Sequence, residues 1–167
     1  MSGRGRTALV LTASDGVTAG ARDDASGDAL TVRLEALGFT VERLVVPDER
    51  TWIEAALRAG ADSGQALIVT TGGTGLTPRD VTPQATRAVL DYEVPGLAEA
   101  MRATGRAITP FADLSRGVVG VIGRSLVVNV PGSPKAALES FDAIAPVLEH
   151  ALETLAGPFD HDERTPA

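Results

Sequence analysis

The chain alternates between short, unbroken apolar runs and longer segments whose apolar residues recur at helical spacing. Ala8 to Thr12, Ala66 to Thr71, Val118 to Ile122 and Leu126 to Val130 have the pattern of strands buried on both faces. Phe39 to Val46 alternates before it turns apolar, which predicts a further strand ending at Pro47-Asp48. Helices are expected over Ser26 to Leu37, with Gly38 just past the end, and from near Thr51 to about Asp62. Ile53, Ala56, Leu57 and Gly60 form the inner face of the second. Two more are expected at Pro83 to Leu90, with Thr82 as N-cap, and at Gly96 to Thr104. A last helical stretch opens at Pro134 and should be interrupted at Pro146. Ser14 to Asp24 is polar and glycine-bearing, and reads as a loop. Gly123-Arg124-Ser125 reads as a hairpin turn.

Strands that alternate with helices and stay apolar throughout predict an α/β fold, with a mostly parallel sheet covered on both faces and an antiparallel hairpin at its edge. At 167 residues, the expectation is one domain over 1–167, with a short basic arm at 1–6 and a polar tail at 157–167. No apolar run approaches the roughly eighteen residues of a membrane span, and no signal peptide is evident, so no membrane partner is expected.

Charge and composition narrow the chemistry. The net charge is −7 and no basic tract exceeds two residues, which argues against nucleic-acid binding. Cysteine is absent, which removes disulfides, thiol catalysis and thiolate metal sites and makes a cytoplasmic location the default expectation. The two histidines, His150 and His161, fall in the last helix and tail, away from any strand end. A Ser-His-Asp triad or a histidine-ligated metal is therefore not expected. Trp52 and Tyr92 read as packing aromatics at helix edges. Lysine and asparagine occur once each, as Lys135 and Asn129, both within Asn129 to Lys135.

The densest chemistry lies in Thr70-Thr71-Gly72-Gly73-Thr74-Gly75-Leu76-Thr77-Pro78-Arg79-Asp80-Val81-Thr82-Pro83, between a strand and a helix. Glycines at a strand's carboxyl end let backbone N–H groups approach an anion closely. The string lacks the Gly-Lys-Ser/Thr of a P-loop and the third small residue of a dinucleotide fingerprint. In an open α/β sheet, ligands bind beyond the carboxyl ends of the strands. Four such ends carry polar groups: Ser14-Asp15, Pro47-Asp48, Thr70 to Gly75, and Asn129 to Ser133. Asp48 and Asp80 would then face one cavity, a pair suited to Mg²⁺ shared with phosphate oxygens. Alternatively, Asp48 caps the following helix, Asp80 pairs with Arg79 or Arg87, and Ser133 is only a helix N-cap. Chemistry built from amides, carboxylates and a metal is what phosphoryl or nucleotidyl transfer permits.

Several of these motifs, in order, resemble the MogA/MoaB family of molybdenum-cofactor biosynthesis proteins. They are the glycine loop with Arg79 to Pro83, Asp91-Tyr92-Glu93-Val94-Pro95-Gly96 with Glu99-Ala100-Met101-Arg102, Leu114-Ser115-Arg116, and Val130-Pro131-Gly132-Ser133-Pro134-Lys135. The resemblance spans Leu9 to about Leu155. It implies a three-layer α/β/α fold, usually a homotrimer, that binds molybdopterin. In the MogA and gephyrin branch it implies Mg·ATP-dependent adenylylation of molybdopterin, ahead of a downstream molybdenum-insertion protein. The two aspartates essential there match Asp48 and Asp80. By the same resemblance Thr71, Gly72, Gly73, Thr74 and Gly75 would cradle phosphate, and Pro131, Gly132 and Ser133 would line a substrate pocket. Ser14, Ser115 and Lys135 join them as candidate binding residues. A MoaB-like paralogue that binds molybdopterin without adenylylating it is the alternative reading.

Overall fold

The structure, a computed structural model, describes residues 3–158. Each apolar run is a strand, and each amphipathic segment packs on one face of the sheet the strands build. The chain runs β1 (Thr7–Ala13), α1 (Asp15–Thr18), α2 (Ala25–Ala36), β2 (Thr40–Val46), α3 (Arg50–Asp62), β3 (Leu67–Thr71), α4 (Thr82–Val89) and β4 (Tyr92–Glu93). It continues through α5 (Pro95–Arg106), a 3-10 turn (Pro110–Leu114), β5 (Val119–Ile122), β6 (Ser125–Val130) and α6 (Pro134–Ala156). The strand order is β2-β1-β3-β6-β5-β4. The first four are mutually parallel, while β5 runs antiparallel to both β6 and β4.

Strand parity divides the core. Ala8, Val10, Leu67, Val69, Leu126 and Val128 face α2, α5 and α6, around a fully buried Phe141. Leu9, Leu11, Ile68 and Val127 face Ile53, Ala56 and Leu57 of α3 and Ala85 and Val89 of α4. The result is three layers, as expected. Ile53, Ala56, Leu57 and Gly60 are the buried residues of α3.

The structure corrects four local expectations. Helix α6 runs unbroken through Pro146. Proline removes one donor and leaves the Asp142 carbonyl without its helical partner. Both residues lie on the exposed face, where water can serve that carbonyl. Buried Phe141 and Ile144 on one side and Leu148 and Leu152 on the other hold the helix across the gap. The segment after β1 is not all loop, because Ser14 caps the one-turn helix α1. β2 is an edge strand that leaves Thr40, Glu42, Arg43 and Leu44 exposed, so not every strand is covered on both faces. Trp52 and Tyr92 are mostly exposed, and Tyr92 belongs to β4. Residues 3–6 are tied down as well: Gly3 N–H donates to the Leu37 carbonyl. The expected tail beyond Pro158, with His161, lies outside the described residues.

Candidate active site

Because β1, β2, β3 and β6 are parallel, their carboxyl ends share one edge. The chain leaves β1 for β2 on one side and returns to β3 on the other, so the topological switch lies between β1 and β3. Gly72 occupies that gap at φ 94°, where a side chain would strike the Ala13 carbonyl. Gly73 follows at φ 67°, where a Cβ would collide with Thr82 Oγ1 and sit 3.3 Å from Asp48 Oδ1. Only glycine tolerates both the backbone angles and the approach. Thr71 Oγ1 donates to the Pro131 carbonyl at 2.8 Å, and Gly72 N–H donates to the Val130 carbonyl at 3.3 Å. The loops after β3 and β6 are thus one interlocked wall.

Three carboxylates meet beside it. Asp48 and Asp15 bond reciprocally: Asp15 N–H donates to Asp48 Oδ2 at 2.9 Å, and Asp48 N–H donates to Asp15 Oδ1 at 3.0 Å. Arg79 grips Asp15 through Nε and Nη2, both at 3.0 Å. Asp80 Oδ2 accepts the Thr77 N–H at 2.8 Å. Asp48 does not cap α3, whose N-cap residue is Glu49, and Asp80 pairs with neither Arg79 nor Arg87. Among the described residues, Oδ1 of Asp48 and Oδ1 of Asp80 accept no hydrogen bond. Burial pushes the Asp48 carboxyl above its ordinary value, and the neighbouring Asp15 and Asp80 carboxylates add to the shift. Asp15 is held below its ordinary value by the Asp48 N–H and the Arg79 guanidinium. A pair of uncommitted, mutually repelling carboxylate oxygens fits a hard divalent cation completed by ligand oxygens.

Two cavities adjoin at this point. One, about 480 Å³, is mostly apolar and is walled by Met101, Phe111, Leu114, Ser115 and Ala136. The other, about 460 Å³, lies over the switch point and is polar, lined by Ser14, Arg22, Ser26 and Asp48. Gly73, Asp80, Gly132 and Ser133 border both. Asp80 thus stands where the two cavities meet, and Asp48 faces the polar one.

Residues 9–150 match the family model described as a probable molybdopterin binding domain. The chain belongs to this family. It is 39% identical over 156 residues to the molybdopterin adenylyltransferase of Helicobacter pylori J99, covering 90% of this chain and 88% of that protein. Among solved structures, the Mog protein of Mycobacterium ulcerans superposes with a TM-score of 0.86 at 41% identity, over 90% of this chain and 99% of that one. The molybdopterin biosynthesis enzyme MoaB of Thermus thermophilus superposes with a TM-score of 0.82 at 50% identity, over 91% and 97%.

Within this molybdopterin-binding fold, most of the residues singled out in the sequence converge. Asp48, Asp80, Ser14, Ser115, the Thr71–Gly75 loop and Pro131–Ser133 all border one cavity or the other. Lys135 does not: its side chain is 80% exposed and pairs with Glu139 at 3.8 Å. Asn129 is buried in β6 rather than presented by a loop. Thr82 is the first residue of α4 and not its cap, and its Oγ1 is buried without a partner. Ser133 does cap α6, accepting the Ala136 N–H at 3.3 Å. Ser133→Ala is expected to cost the ligand-free protein about 1 kcal/mol from the lost cap, read by chemical denaturation.

The raised Asp48 carboxyl gives the site a signed pH response. Divalent-cation binding, followed by Mn²⁺ titration, should begin to weaken on acidification above the ordinary carboxylate range. Stability without metal moves the opposite way in that window. A carboxyl raised in the fold binds its proton more readily folded than unfolded, so acidification down to the ordinary value stabilises. Asp15 is lowered, so its contribution is present above the ordinary value and is lost as pH falls below it. Thermal melts through the acid range, with and without metal, measure both.

Proposed function

We propose that this protein is a molybdopterin adenylyltransferase acting in molybdenum cofactor biosynthesis, with Mg·ATP as co-substrate. The observation that carries the reading is the junction: Asp80 presents a free oxygen where an apolar cavity meets a polar one, and Asp48 presents another from the polar side. The terminal phosphate oxygen of molybdopterin attacks the α-phosphorus of ATP. A new P–O bond forms, the α–β bridge breaks, and pyrophosphate leaves. Asp48 and Asp80 would hold Mg²⁺, which when bound neutralises charge on the transferring group. Amides of Gly73 to Gly75 stabilise the phosphate oxygens, and the interlocked Thr71 and Pro131 loops hold the two reactants in register. No step requires a protein nucleophile.

The test is an adenylylation assay with purified protein, molybdopterin and Mg·ATP, scoring adenylyl-molybdopterin and pyrophosphate. Product in stoichiometric pair with pyrophosphate is the expected result. Molybdopterin binding without product would place the chain with MoaB-like binding proteins. That second reading is favoured by one observation, the 50% identity to the Thermus thermophilus MoaB structure. The same proposal includes a homotrimer, tested by analytical ultracentrifugation, and hand-over to a molybdenum-insertion protein. No helix among the described residues is long and apolar enough to cross a membrane, and the proposed location is cytoplasmic.

A further inference from the structure

The excursion that carries Asp80 has almost nothing beneath it. Leu76, Thr77, Pro78 and Arg79 are all exposed, and Leu76 retains 66% of its accessible surface. Burial cannot fix such a segment, so polar contacts must. Arg79 anchors its outer side to Asp15. Its two ends are joined by one side chain from elsewhere in the chain. Arg116 Nε donates to the Gly75 carbonyl at 2.8 Å, and Arg116 Nη2 donates to the Asp80 carbonyl at 2.7 Å. Arg116 Nη1 reaches Gln84 Oε1 at 3.3 Å, and the Arg116 backbone N–H donates to the Thr74 carbonyl at 3.0 Å. Among the described residues the guanidinium bonds to no carboxylate. Nε and Nη2 both go to backbone carbonyls that bracket the loop.

Arg116 is itself held. Arg102, on the wall of the apolar cavity, donates through Nη1 to the Ser115 carbonyl at 3.3 Å and the Gly117 carbonyl at 3.0 Å. The residues on either side of Arg116 are therefore fixed from α5, and its side chain fixes the loop after β3. We infer that Arg116 is a positioning residue for the reaction proposed above: its forked guanidinium staples Gly75 to Asp80 and so sets where the Asp80 carboxylate stands. This inference rests on the assignment of Asp80 to the metal site. A planar fork with donors at fixed separation spans two carbonyls, whereas the single ammonium of lysine does not reproduce that geometry.

Two variants test it: Arg116→Met, which keeps the aliphatic stem, and Arg116→Lys, which keeps the charge. Two readouts are taken on each, steady-state adenylylation and Mn²⁺ dissociation constants from electron paramagnetic resonance titration. Both variants are expected to fold and to keep the wild-type KM for molybdopterin. In both, kcat should fall and Mn²⁺ binding weaken by on the order of 10–100-fold, the range for supporting contacts behind a metal ligand. Wild-type kcat and Mn²⁺ affinity in Arg116→Met would overturn the inference. Full recovery in Arg116→Lys would also overturn it, since charge and not the span would then suffice. Failure of Arg116→Met to fold would overturn it too, because the contacts would then belong to the fold and not to a held loop. The Mn²⁺ titration needs no turnover. A wild-type protein that makes no product, yet binds Mn²⁺ in an Arg116-dependent way, would remove the adenylyltransferase reading and leave Arg116 as the residue that positions Asp80 for the metal.

Discussion

Asp80→Asn is expected to leave the protein folded and molybdopterin bound while turnover falls by on the order of 100–1000-fold, the scale of losing one preorganised electrostatic contact to the transition state. Asparagine keeps the shape of the side chain and one acceptor oxygen, so the bond from Thr77 N–H to the side chain survives. The other position becomes an NH₂ donor, pointing at the place where a cation needs an oxygen. The loop therefore keeps its form while the site loses a charge and a ligand. Pyrophosphate release gives the rate, and titration of molybdopterin fluorescence gives the binding. Unchanged turnover would remove Asp80 from the reaction altogether.

The second large effect is on stability. Asn129→Ala should destabilise the fold by about 3–5 kcal/mol, an exceptional value for one substitution. The side chain is 1% exposed and joins three elements. Asn129 Nδ2 donates to Thr70 Oγ1 of β3 at 2.8 Å and to Thr86 Oγ1 of α4 at 3.0 Å. Asn129 Oδ1 accepts the Val118 N–H at 3.2 Å, at the entry to β5. Alanine leaves Thr70 Oγ1 and the Val118 N–H buried without this partner, while Thr86 Oγ1 keeps its bond to the Thr82 carbonyl. Each orphan costs about 1–3 kcal/mol, and a small cavity adds to that. Denaturant unfolding measures it, and a loss below about 1 kcal/mol would mean that water or a rotated hydroxyl replaces the amide.

Five of the six strands could be read from the chain because their signals are local, whereas the two-residue β4 could not. Strands buried on both faces must be apolar without a break, and each helix over them carries a stripe such as Ile53, Ala56, Leu57 and Gly60. The glycine loop was legible for a related reason, since positive φ and close backbone approach demand glycine. The contacts that hold the site were not. Arg116 bonds to carbonyls 36 and 41 positions away, and carbonyls exist at every residue. Asp15 has the same difficulty: a loop aspartate on its own, it becomes the bridge between Asp48 and Arg79 only once β1, β2 and β3 lie side by side. Pro146 misled in the other direction, because the rule against proline in helices is local while the support for α6 is tertiary. Asn129 stood out only by being alone in the composition. Its partners lie on β3, on α4 and just before β5, where no spacing rule reaches.

The exposed Lys135 has a practical use. It is the chain's one lysine, so amine acylation can modify a single side chain. Its neighbours Pro134 and Ala136 border the polar and the apolar cavity respectively. A dye coupled there would stand beside both cavities without occupying either. The protein thereby offers an unmutated attachment point from which filling and emptying can be watched in real time.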